Sequence, residues 1–118
     1  MAVTEGFKDF VTELLGGFGP VTIRNMFGGA GVYADGVMFA ILVDDVLYLK
    51  ADKGSQAAFA NEGMGPFIYR PDGKRPVAMS YWEVPPRLLD EPEELASWAR
   101  EAHRISRLGK AKSPRQRR

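Results

Sequence analysis

Apolar residues recur near the start of the chain at Phe7, Phe10, Val11, Leu14 and Leu15, the i, i+3, i+4, i+7, i+8 spacing of one helix face. Thr4 offers an N-cap oxygen and Gly16-Gly17 a left-handed stop, so the pattern predicts a helix over residues 4–17. After the break at Gly19-Pro20 the chain reads as extended: Val21 to Phe27, Gly31 to Ala34, Val37 to Val43 and Val46 to Lys50. Asp35-Gly36 is the strongest short hairpin signal, and Asp44-Asp45 marks a second tight turn. Residues 53–62 predict a short helix with Ala57, Ala58 and Phe59 on its apolar side and Gly63 as its stop. Two further strands, Pro66 to Arg70 and Pro76 to Val84, flank the Pro71-Asp72-Gly73-Lys74 turn. Pro85-Pro86 then ends sheet structure, because proline donates no ladder hydrogen bond. The last helix opens at Asp90-Glu91-Pro92-Glu93, an acidic cap with an early proline. Its buried stripe is Leu95, Trp98, Ala99, Ala102 and Ile105, and Gly109 is the expected stop.

The order α-β(3–4)-α-β(2)-α, with hairpin-paired strands bracketed by helices, predicts an α+β fold. Two layers are expected, an antiparallel sheet of five to six strands and its flanking helices. One domain is expected over 1–109, followed by a disordered basic tail over 110–118. The run Val37 to Val43 is apolar at every position. A strand alternates its side chains between two faces, and a two-layer domain covers only one of them. Such a strand either leaves small exposed patches on a solvated face or pairs with a second copy or another partner.

Composition narrows the chemistry. At 118 residues and 45% apolar, the chain is long enough to bury a core without staples. Cysteine is absent, which excludes disulfide frameworks, thiolate zinc sites and cysteine nucleophiles. The single histidine, His103, excludes a His-rich metal cage and reads as a surface or boundary residue of the last helix. Gly28-Gly29-Ala30-Gly31 lacks the lysine and the following helix of a phosphate loop, and reads as a bend or bulge. The adjacent acids Asp44-Asp45 and Glu93-Glu94 suit turn and helix-start chemistry better than an acid–base pair converging across a cleft. Tyr81 and Trp82 point to opposite faces of their strand, which suits core or boundary packing first and leaves one of them as a candidate partner or stacking surface. The start of the chain shows no signal-peptide pattern and no apolar run approaches membrane-spanning length, so a cytoplasmic protein with no membrane contact is expected.

Charge changes the picture more. The net charge is only +1. Residues 1–99 nevertheless carry 8 basic and 14 acidic side chains, net −6, and residues 100–118 carry 8 basic and 1 acidic, net +7. Arg100, Arg104 and Arg107 share one side of the last helix, opposite Leu95, Trp98, Ala102 and Ile105. Lys110, Lys112, Arg115, Arg117 and Arg118 extend the row. Such a row suits phosphate contacts made without sequence reading, and equally a solvated helix face with a solubilising tail.

Three blocks carry a family resemblance: Arg24-Asn-Met-Phe-Gly-Gly-Ala-Gly-Val-Tyr-Ala-Asp-Gly-Val-Met-Phe-Ala, then Leu47-Tyr-Leu-Lys50, then Ser80-Tyr-Trp-Glu-Val-Pro85. In this order they resemble the N-terminal domain of the TfoX/Sxy competence regulators, over about Phe7 to Leu108. The resemblance implies an antiparallel α+β sheet similar to secretion-chaperone-like domains. It further implies a coactivator role in competence-gene transcription alongside the cyclic-AMP receptor protein, with no enzyme activity and no cofactor. Its motif positions are Arg24, Met26, Phe27, Gly28, Gly29, Gly31, Asp35, Gly36, Tyr48, Lys50, Ser80, Tyr81, Trp82, Glu83 and Pro85, expected mostly to hold the fold, with Arg24 and Glu83 as a possible pair. Full-length regulators carry a second, C-terminal domain, and this chain has a basic tail in that place. The expected function is therefore a non-enzymatic regulatory module using protein partners, the transcription machinery or the cyclic-AMP receptor protein, and DNA backbone. The alternative is a small homodimeric adaptor or chaperone-like domain.

Overall fold

The computed structural model describes residues 3–26, 28–70 and 75–111, the last two by their backbone alone. Helix α1 (Glu5–Leu14) is capped by the Thr4 hydroxyl, which accepts from the Phe7 amide. It tightens into a 3-10 turn over Leu15–Gly17. Gly16 and Gly17 do not take the left-handed stop expected of them. The positive φ falls on Gly19 (137°), after the Phe18 and Gly19 amides have both bonded the Leu15 carbonyl.

Strands β1 (Thr22–Met26), β2 (Gly29–Ala34), β3 (Val37–Val43) and β4 (Val46–Lys50) form an antiparallel meander. Its turns are sharp because Asp35 and Gly36 (φ 54° and 76°) and Asp44 and Asp45 (52° and 59°) are all left-handed, the backbone of a hairpin turn that matches strand twist. Asp45 also accepts hydrogen bonds from the Thr4 amide and hydroxyl, which ties the start of α1 to the meander. Helix α2 (Lys53–Asn61) starts at a reciprocal Asp52–Ser55 capping box. Only Phe59 is buried on it. Ala57 and Ala58, expected on its apolar side, are exposed.

Strands β5 (Pro66–Tyr69) and β6 (Val77–Glu83) complete the sheet in the order β1-β2-β3-β4-β6-β5. The turn expected at 71–74 lies outside the described residues. A 3-10 turn, Pro86–Asp90, leads to α3 (Pro92–Ala111). Asp90 belongs to that turn and does not cap the helix, and α3 passes through Gly109 instead of stopping there. The six strands and three helices form the two-layer α+β architecture that the hydrophobic pattern predicts. No helix among the described residues is long and apolar enough to cross a membrane.

The helices pack on one face of the sheet. Leu15, Val32, Phe39, Leu42, Leu49, Leu88, Leu95 and Ala99 are fully buried there. Phe39 reaches this core because a bulge between Val32 and Tyr33 re-aims β3, and it packs against Phe18 (4.9 Å between ring centres). His103 stands edge-on to both rings and donates from Nε2 to the Ala34 carbonyl (2.9 Å), pinning α3 to the end of β2.

Candidate functional site

The opposite face of the sheet has no helix over it. Strand alternation sends Arg24 and Met26, Gly29, Gly31 and Tyr33, Met38, Ile41 and Val43, Tyr48 and Lys50, and Met79, Tyr81 and Glu83 to this side. Phe67 and Tyr69 join them from β5. A groove of about 370 Å³ runs across the face. Met26, Met38, Ile41 and Val43 form one wall, and Phe67, Tyr69, Met79 and Tyr81 form the other. Strand β4 lies between these two sets, so the groove is walled from both flanks of the sheet, by β1–β3 on one side and by β5 and β6 on the other.

Glycine makes the groove deep. A Cβ at Gly31 would lie 2.6 Å from the Met38 sulfur and 3.1 Å from both the Met26 sulfur and a Tyr33 ring carbon. The missing side chain is the space those three groups close around. At Gly29 a Cβ would lie 2.5 Å from the Leu42 carbonyl oxygen. The bend expected of the glycine-rich block falls on Gly28 alone (φ 79°), and Gly29 and Gly31 are instead regular strand positions where the neighbouring groups pack close.

All four tyrosines of the chain face the groove or its rim. Tyr48 meets Phe67 edge-on at 5.3 Å. Burial raises the Tyr48 hydroxyl above its ordinary range, helped by the negative charges of Glu83 and Asp44. Burial raises Tyr81 as well, with Tyr33 adding to it. Two cations sit on aromatic rings at the end of the groove where Tyr33 pairs with Met38 and Lys50 with Tyr81. The Arg24 guanidinium lies over Tyr33 at 5.6 Å and the Lys50 ammonium over Tyr81 at 5.1 Å. Lys50 also donates to the Ser80 hydroxyl (2.9 Å). Glu83 lies in register with Tyr48, toward the other end. Arg24 and Glu83 do not pair, because β2, β3 and β4 stand between them.

The remaining motif residues divide between roles. Trp82 turns to the helix side and packs against Phe59 (6.1 Å), and Pro85 is fully buried. Asp35 and Gly36 form a turn, and Phe27 lies outside the described residues. Of the aromatic pair at the end of β6, Tyr81 is the one on the open face.

The basic row is partly engaged. Arg100, Arg104 and Arg107 are exposed on α3. Arg104 is held in a two-pronged contact with Glu101 (3.0 and 2.6 Å), which lowers the Glu101 carboxyl and raises the guanidinium. Arg100 and Arg107 form no ion pair among the described residues. The Lys110 backbone is helical, and Lys112, Arg115, Arg117 and Arg118 lie outside the described residues.

Pattern reading missed Arg87. Its guanidinium binds Glu62 (2.7 Å), Glu91 (2.9 Å) and Glu94 (2.8 Å), clamping the end of α2 to the start of α3. Those bonds bring Glu94 down to about 2 and lower Glu62 too. Glu94 also accepts from the Trp98 indole (3.2 Å). No group of three or more His, Asp or Glu among the described residues is arranged to hold a metal ion.

The family profile described as the TfoX N-terminal domain matches residues 13–105. The DNA transformation protein TfoX1 of Aliivibrio fischeri is 32% identical over 105 residues, covering 88% of this chain. The chain spans about half of that relative's length, 47%. The matched segment takes in all six strands, among them those that line the groove, and most of α3 on the opposite face, and the chain belongs to the TfoX N-terminal domain family.

Proposed function

We propose that this chain is a non-enzymatic regulatory module that acts in competence-type transcription by holding a protein partner on the open face of its sheet. One observation supports this reading above the rest. Arg24, Met26, Gly29, Gly31, Tyr48, Lys50, Tyr81 and Glu83, which carry much of the family resemblance, lie on the helix-free face and not in the core. A surface that only had to be solvated would not need three methionines and an aromatic wall along one groove. The partner class is the transcription machinery, with the cyclic-AMP receptor protein as the member that the resemblance implies. The relative's name, a DNA transformation protein, agrees with a role in competence. Arg100, Arg107 and the basic residues after Ala111 are assigned to the DNA backbone, where counterion release would strengthen a complex already placed by protein contacts.

Deleting the gene in its host and measuring competence-gene transcripts and DNA uptake tests the reading. Both are expected to fall and to return with the restored chain. Unchanged transcripts would reject it.

The second reading, a homodimeric adaptor, draws support from the exposed apolar side chains of the β5–β6 hairpin, which are typical of an interface. Light scattering on the full chain separates the two, since a stable dimer closed over the groove favours the adaptor.

A further inference from the structure

Among the described residues, six large apolar side chains are clearly exposed, and four of them are on the β5–β6 hairpin: Tyr69, Val77 and Met79 on the groove's side of the sheet and Ile68 on the other. Exposed apolar surface concentrated on one element marks a contact surface. Beneath it the groove is lined by Met26, Met38 and Met79, whose unbranched thioethers repack around different apolar shapes. The rim is electrically one-sided. Arg24 and Lys50 sit at the Tyr33–Tyr81 end, and neither is in an ion pair with a described residue. Glu83 and Asp44 lie toward the opposite end, by the β3–β4 turn. Arg70, just after β5, and Arg75, just before β6, are exposed.

We propose that the groove docks an acidic, apolar segment of a protein partner. Its large apolar side chains lie between the methionines and Phe67, and its carboxylates meet Arg24 and Lys50. The cations keep their places over Tyr33 and Tyr81, so the carboxylates meet charges already held in position. This rests on the reading of the chain as a regulatory module that works through a protein partner. A second copy related by a two-fold axis through this face would set concave surface against concave surface and leave the groove unfilled. Nucleic acid fits less well. The groove interior offers thioethers and apolar carbon where a polyanion needs a continuous row of donors.

The test is selection of random dodecapeptides displayed on phage against the full chain, followed by fluorescence anisotropy of the enriched peptides. The variants are Met79→Asp, which places a charge on the apolar wall, and the double reversal Arg24→Glu with Lys50→Glu. Enriched peptides are expected to combine at least two large apolar residues with net negative charge. Each variant should weaken them by at least about tenfold. In the double reversal, peptides with Lys in place of their Asp and Glu should regain the lost affinity, an outcome that an unfolded variant cannot give. The proposal is overturned by no enrichment, by enrichment of neutral or basic peptides, or by equal affinity for all three proteins. It is equally overturned by displacement of the peptides by oligo-dT, or by sedimentation showing a dimer whose closed groove excludes them. The regulatory reading is scored separately: if gene deletion lowers competence transcripts while the peptides fail, only the groove assignment falls.

Discussion

A methyl group at Gly29 would meet the Leu42 carbonyl oxygen at 2.5 Å, and a backbone oxygen in a central strand has nowhere to go. Gly29→Ala is therefore expected to destabilise the fold by about 1–3 kcal/mol in urea unfolding. Gly31→Ala instead meets the Met38 and Met26 sulfurs, at 2.6 and 3.1 Å, and thioethers can yield. It should cost less than Gly29→Ala and partly fill the groove. If the two substitutions rank the other way, the glycine block does not work as described. Arg87 sets a second test at this scale. Glu94, held down to about 2 by Arg87, is more acidic in the folded chain than its ordinary value of 4.5, and Glu62 shifts the same way. A carboxylate shifted in that direction adds stability that is complete above 4.5 and is lost as pH falls toward about 2. The clamp is partly exposed, so the gain is screened. Arg87→Met should lower the urea midpoint at pH 7 and leave it near the wild-type value close to pH 2. An equal loss at both pH values would mean that Arg87 acts by packing alone.

Hairpins were legible in the sequence because their cause is local. Asp35-Gly36 and Asp44-Asp45 announce left-handed turns within two residues, and β2, β3 and β4 follow from them. Helix ends were less legible, because what decides them lies elsewhere. Gly16-Gly17 gave way to a 3-10 turn carrying the buried Leu15, and α3 runs on past Gly109. On α2, Phe59 alone meets the Trp82 and Trp98 rings, which leaves Ala57 and Ala58 outside. The apolar run of β3 correctly signalled an uncovered face. The groove itself could not be read, since its second wall comes from β5 and β6, whose residues lie some forty positions after those of the first wall. Element packing also refines the basic row of α3. Because Glu101 already holds Arg104, the proposed DNA contact falls to Arg100 and Arg107. Arg100→Ala and Arg107→Ala should each reduce the salt slope of duplex binding by about 1, and Arg104→Ala by less. A chain ending at Ala111 keeps α3 whole and should lose most of the slope. No binding by the full chain at low salt would assign the row to solvation.

The whole molecule is one sheet with two unlike sides. Helices cover one side with a closed core, and the other side keeps an apolar, methionine-rich groove walled in part by the β5–β6 hairpin. Charge is divided along the chain as well, with net −6 through residue 99 and +7 beyond it. A regulatory module that docks a protein on its sheet and touches DNA with its C-terminal end would use both divisions. The family places the fold, and the open face is where the competence reading succeeds or fails. Met79 is 37% exposed, so Met79→Asp should leave the unfolding midpoint almost unchanged, as surface substitutions typically shift stability by about 0.5 kcal/mol or less. The most direct measurement is competence-gene transcription in a host whose only copy of the chain carries Met79→Asp. Transcripts are expected to fall to the level of the gene deletion while the variant stays folded and abundant. Full transcription from a folded Met79→Asp chain would contradict the assignment of function to the open face.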